Sequence, residues 1–158
     1  MKSKRVIAKN PRGELDLKTP VRARLRFDYR GEPKNRRFIF GSEDPAQAAE
    51  RVRERQVEIL RNMPFQGLEL ENIEDGNEIY RLASDVPNEG PVAYAPVELT
   101  VIADSIEDLA QLTMKKEFRC IKIIEPEQIE LTQYDVERML YRLSEQNRQA
   151  GLYNQDFQ

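Results

Sequence analysis

Arginine occupies every second position but one, that of Asp28, in the segment Val21-Arg22-Ala23-Arg24-Leu25-Arg26-Phe27-Asp28-Tyr29-Arg30. Successive side chains of a β-strand point to opposite faces. This segment is therefore predicted to turn Val21, Ala23, Leu25, Phe27 and Tyr29 one way and Arg22, Arg24, Arg26, Asp28 and Arg30 the other. Lys34, Arg36 and Arg37 follow across a turn. Guanidinium groups about 6.7 Å apart along a strand match the scale of phosphate spacing in a nucleic acid, and they also suit the carboxylates of an acidic protein. A sheet with one solvated face places charge there even without a ligand.

Other chemistries have less material to work with. The chain has no histidine, so the Ser-His-Asp and Cys-His arrangements and imidazole metal ligation are excluded. One thiol, Cys120, makes neither an intramolecular disulfide nor a cysteine-only zinc site. Set among Phe118, Ile121, Ile123 and Ile124, it is expected in the core, with Lys122 on its own side of the strand. The seven glycines are dispersed and form no phosphate-binding loop. Glu69 with Glu71, and Glu125 with Glu127 and Glu130, lack the spacing of a calcium loop and read as solvated acidic surface. No metal ligand set and no cofactor is expected. An enzyme using carboxylates or Lys122 is a minority reading.

The net charge of −3 conceals a strong asymmetry. Residues 1–62 carry 17 Lys and Arg against 9 Asp and Glu, whereas residues 63–158 carry 8 against 19. Such a split suits an anionic partner for the basic end, attraction between the two halves, or pairing of identical chains. No apolar run approaches the roughly 18 residues of a membrane span, and the three-residue apolar stretch at Val6–Ala8 is too short for a signal peptide. A cytoplasmic protein without membrane contact is expected.

The positioning elements follow from pattern. After the strand at 21–30, the turn at 31–35 leads to a returning strand at 36–40, and an earlier strand near 5–8 is weaker. Asp44 and Pro45 suit the start of a helix that reaches about Asn62. Ala49, Val52, Ile59, Leu60 and Met63 are predicted to form its apolar stripe, and the i,i+3 pairs that include Glu50–Arg53 its wet side. Strands at 68–73 and 78–82 are expected to form a hairpin through Asp75-Gly76-Asn77. Residues 83–96 read as a linker or loop. A strand at 97–102 and a helix capped by Ser105 follow. Next come a strand at 118–124 and a helix begun by Thr132 and Asp135 with the face Val136, Met139, Leu140 and Leu143.

The expected fold is therefore α+β with mixed sheets, in the order β-β-α-β-β-(loop)-β-α-β-α. If one strand of the middle hairpin is set aside, residues 36–124 run in the ferredoxin-like order. The chain divides into a basic unit at 1–82, the segment 83–96, an acidic βαβα unit at 97–149 and a tail at 150–158, or packs as one domain. The strand–hairpin–helix unit over residues 20–62 resembles the small arm-binding DNA modules at the N-termini of phage-type integrases. Integrase catalysis itself is excluded by the missing histidine.

The sequence thus points to a non-enzymatic binding or adaptor protein acting through protein–protein contact. Its expected contact residues are Arg22, Arg24, Arg26, Arg30, Lys34, Arg36 and Arg37, facing an acidic protein or a second copy. Nucleic-acid binding through the same side chains is the alternative.

Overall fold

The computed structural model describes residues 6–9, 15–31, 43–62 and 64–155. A two-stranded antiparallel sheet pairs β1 (Val6–Lys9) with β2 (Leu15–Lys18). The remaining strands are β3 (Val21–Arg30), β4 (Leu68–Glu74), β5 (Tyr80–Leu82), β6 (Val92–Ala103) and β7 (Phe118–Glu125). They form one sheet in the order β4-β6-β3-β7, with β5 also on β6, and every neighbouring pair is antiparallel. The helices are α1 (Pro45–Asn62), α2 (Ile106–Thr113) and α3 (Gln133–Gln155). Among the described residues no helix is long and apolar enough to cross a membrane.

The α+β class is as expected, and the four main strands take the ferredoxin-like order, but the first of them is β3 and not a strand at 36–40. β3 and β4 are linked by α1 and separated by β6. β6 and β7 are linked by α2, run the same way and are separated by β3. Both edges of β3 are thus taken by strands from the acidic half. The expected hairpin partner at 36–40 lies outside the described residues, and 20–62 is not a self-contained sheet-and-helix unit.

Alternation on β3 governs the core. Val21, Ala23, Leu25, Phe27 and Tyr29 are at most 3% exposed and pack with Val97, Leu99 and Val101 of β6. Val57 and Leu60 of α1 and Leu109 and Leu112 of α2 cover this face. Each such large apolar side chain contributes about 1.5–3 kcal/mol on burial. α1 starts where expected: Asp44 Oδ1 accepts from the Ala46 N–H at 3.4 Å. The Ser105 Oγ accepts from the Asp108 N–H at 3.2 Å at the start of α2, and Thr132 and Asp135 cap α3 reciprocally. α3 continues to Gln155, through residues read as a tail, and docks on α2 through Arg138 and Arg142 at 3.1 and 3.0 Å from Glu107. Leu140, expected on its inner face, is exposed.

Two expectations fail along β6. The strand begins at Val92, inside the stretch read as a loop, so the irregular part is confined to residues 83–91. β4 and β5 do not form a hairpin: both lie antiparallel to β6, one after the other along the same edge. Pro96 explains the gap between them. A strand residue's N–H and C=O point to the same side, and Pro96 O faces Arg53 of α1 at 3.2 Å. The N–H that proline lacks would therefore fall in the gap, where no ladder bond is lost. Arg53, expected on the solvated side of α1, is only 6% exposed and fills this gap. Its Nη1 also donates to Asn77 O at 2.7 Å, and Glu50 holds its Nη2. Ile59, expected in the apolar stripe, is exposed.

Gly31 marks the close approach of β3 to α1. A Cβ there would lie 2.5 Å from Pro45 O and 2.6 Å from Ala49 N, both backbone atoms. Gly31→Ala is expected to cost about 1–3 kcal/mol in urea unfolding because neither atom can move without shifting the helix. Arg53→Met keeps the aliphatic stem but leaves Pro96 O unpaired, and is expected to cost about 1–3 kcal/mol in the same assay. A loss under about 0.5 kcal/mol, the ordinary surface range, contradicts the bridging role of Arg53.

Candidate binding face

The helices α1 and α2 cover one face of the sheet, and the outward-pointing residues of its strands make up the other. Arg22, Arg24, Arg26, Asp28 and Arg30 run down its middle on β3. The structure thus gathers four of the expected site residues on one face, and Lys34, Arg36 and Arg37 lie outside the described residues.

Carboxylates from the same chain meet these arginines. Arg22 Nε donates to Glu71 Oε2 at 2.8 Å, with Nη2 at 2.7 Å. Glu71 sits at a register shift between Leu70 and Asn72 on β4, where two polar residues interrupt the alternation. Arg26 Nε donates to Asp28 Oδ1 at 2.9 Å, and Arg30 Nη2 lies 3.4 Å from both oxygens of Glu89. The partly exposed Arg22–Glu71 and Arg30–Glu89 pairs contribute only about 0–1 kcal/mol each. Their effect is to neutralise the stripe.

Arg24 differs. Its side chain is 51% exposed, and its nearest carboxylate oxygen is on Glu98 at 4.0 Å. Directly across the ladder stands Lys122 of β7, an exposed cation with no ion-pair partner among the described residues. Like charges directly opposite on neighbouring strands repel. The pair is the least compensated positive spot on the face.

Toward Arg30, a second cluster surrounds Asp28, which is 4% exposed. The Tyr80 hydroxyl donates to Asp28 Oδ2 at 2.6 Å, and Arg119 Nε lies 3.5 Å from the same oxygen. Tyr80 stacks on Tyr94 with ring centroids 5.4 Å apart and planes 18° from parallel. The Arg119 guanidinium lies 5.7 Å from the Tyr94 ring centre. Sequence reasoning missed this cluster because Tyr94 fell in the stretch read as irregular. The alternation Tyr94, Pro96, Glu98, Thr100 was the available signal.

Cys120 corrects another expectation. It is exposed on the open side, in register with Arg26, because β7 is an edge strand and the inner positions go to Ile121 and Ile123. Glu125, Glu127 and Glu130 are exposed, and among the described residues no group of acidic or thiol side chains converges on a metal position. Two depressions lie elsewhere: about 250 Å³ beside Arg61, Glu71 and Ile73, and about 560 Å³ between α2 and α3 beside Glu107, Tyr134 and Tyr141. Neither is lined by Lys122 or Cys120. Compared with known proteins, the chain matches no family model, no curated protein and no solved structure.

Burial raises the Tyr29 phenol well above its ordinary value of 10.0, and burial together with the hydrogen bond to Asp28 raises that of Tyr80. A folded-state value above the unfolded one contributes stability that is complete below the unfolded value and lost as pH rises through the folded one. The urea midpoint is therefore expected to fall from pH 10 upward, and less steeply in Tyr29→Phe and Tyr80→Phe. Equal slopes in all three proteins contradict the assignment.

Proposed function

We propose that the protein is a non-enzymatic binding protein that docks another protein on its open sheet face, with an acidic side chain of that partner seated between Arg24 and Lys122. The observation that carries this reading is the juxtaposition of those two exposed cations in register, with Glu98 only at the 4.0 Å limit. A carboxylate arriving from outside relieves their repulsion and gains two charge-assisted contacts. Nearby Tyr80, Tyr94 and Arg119 belong to the residue types that anchor protein interfaces, with large rigid area and a polar tip.

The same face suits a polyanion poorly. Arg22, Arg26 and Arg30 already meet Glu71, Asp28 and Glu89, so phosphates would have to displace bound carboxylates. Glu69 and Glu74, exposed on β4, add repulsion. A mixed-charge surface selects one acidic side chain over a line of phosphates.

Two assays separate the readings. Anisotropy titrations with single- and double-stranded oligonucleotides are expected to show no micromolar binding at about 150 mM salt. In pull-downs from native extract, Arg24→Glu/Lys122→Glu is expected to lose the specific partner, while Arg55→Glu on the exposed side of α1 keeps it. Retention by the double reversal overturns the proposal. Micromolar oligonucleotide binding with a linear dependence of log affinity on log salt replaces it with the nucleic-acid reading.

A further inference from the structure

The two edges of the five-stranded sheet are protected very differently. The edge opposite β7 is broken into β4 and β5, carries a bulge at Glu71 and bears Glu69 and Glu74. Those are standard protections against unwanted strand pairing. β7 is an eight-residue edge with no proline, paired on one side to β3 and to no other strand among the described residues, and register shifts at Arg119 and Ile124 leave Cys120–Ile123 as its regular stretch. Seven of its eight residues are exposed, including Ile121 and Ile123 at 37% and Ile124 at 41%. Ile129 and Leu131 in the connection to α3 are exposed as well. Burying several large aliphatic side chains and an open hydrogen-bonding edge together is the general basis of strand addition.

Charge along this edge specifies direction and occupant. Lys115, Lys116 and Arg119 stand at the N-terminal end, against a single acid, Glu117. Glu125, Glu127 and Glu130 stand at the C-terminal end. An antiparallel second copy of β7 sets the basic end of each strand against the acidic end of the other, twice over, whereas a parallel copy sets like against like. Self-complementarity of this kind is what a twofold interface requires.

The pleat then limits the register. Residues directly opposite must share a face, and the registers that set isoleucine against Ile121 place it opposite either Ile121 or Ile123 of the second copy. The second choice sets Lys122 against Lys122, like charges directly opposed. The first sets Cys120 against Lys122 and brings the isoleucines of both strands together on the helix side.

The geometry points to a homodimer in which β7 pairs antiparallel with β7 of a second copy, centred on Ile121, giving one continuous sheet across two protomers. This proposal uses the strand edge and does not rest on the sheet-face reading above. Sedimentation equilibrium of the full chain is expected to give twice the 18.5 kDa protomer mass at tens of micromolar. Ile121→Lys is expected to give a monomer with an unchanged far-ultraviolet spectrum, since Ile121 is already 37% exposed in the protomer. Lys115→Glu/Lys116→Glu is expected to weaken association at least tenfold, and adding Glu125→Lys/Glu127→Lys to restore it. In a Cys120→Ser background, Ile121→Cys is expected to oxidise to a covalent dimer and Lys122→Cys to remain uncrosslinked, since only the first pair falls within disulfide reach. A monomer throughout the concentration range, a dimer indifferent to Ile121→Lys, or failure of the charge exchange to restore association overturns the proposal.

Discussion

β3 is paired along both edges, and the layout of the molecule follows from that constraint. Its alternation commits five apolar side chains to the helix side and four arginines with Asp28 to the other. Strand alternation permits no compromise, because a slip of one residue would send the whole arginine set into the core. With β6 on one flank and β7 on the other, the most basic of the described strands lies inside a sheet otherwise built by the acidic half. Glu71 and Glu89 then supply countercharges for Arg22 and Arg30, whereas Glu98 comes no closer than 4.0 Å to Arg24. Among the described residues, part of the asymmetry that suggested an external polyanion is thus met within the protein.

The same constraint explains the two places where the sheet departs from regularity. Pro96 of β6 sits directly opposite Asp28 of β3, and its missing N–H faces the β4/β5 side. The edge strand divides there, and Arg53 of α1 bridges the gap to Pro96 O and Asn77 O. On the other flank, register shifts on β7 near Arg119 and Ile124 leave a short regular stretch, Cys120–Ile123, between them. Arg119 turns toward Asp28 and the Tyr94 ring, which completes a polar and aromatic cluster around a buried carboxylate. Asp28 tolerates burial because two arginines and a tyrosine hydroxyl surround it.

Much of this was legible in the residues. The strict alternation of 21–30 gave the strand and its wet and dry faces, and Asp44-Pro45, Ser105 and Thr132 marked three helix starts through local capping chemistry. Pairing was harder to read, because partner choice depends on contacts distant in sequence. Asp75-Gly76-Asn77 has the composition of a tight hairpin turn, yet β4 and β5 each pair with β6, whose long apolar face offers more burial than a two-stranded ribbon. Pro87, Gly90, Pro91 and Pro96 masked the first third of β6, and with it Tyr94. The burial of Arg53 was invisible in its i,i+3 pattern, since only the gap beside Pro96 requires it. Of the candidate site, the arginines and Asp28 were plain in the sequence, whereas the carboxylates distant in sequence became visible only once β4, β6 and the segment 83–91 were placed around them.

The two halves, opposite in charge, share one sheet through β3. Native-state hydrogen exchange over β3, β6 and β7, combined with equilibrium urea unfolding, tests it most directly. One shared sheet requires slow exchange along β3 with an opening free energy equal to that of β6 and to the global unfolding free energy, within a single transition. Separate transitions, with β3 amides opening well below those of β6, would contradict it and return the basic segment to the status of an independent unit.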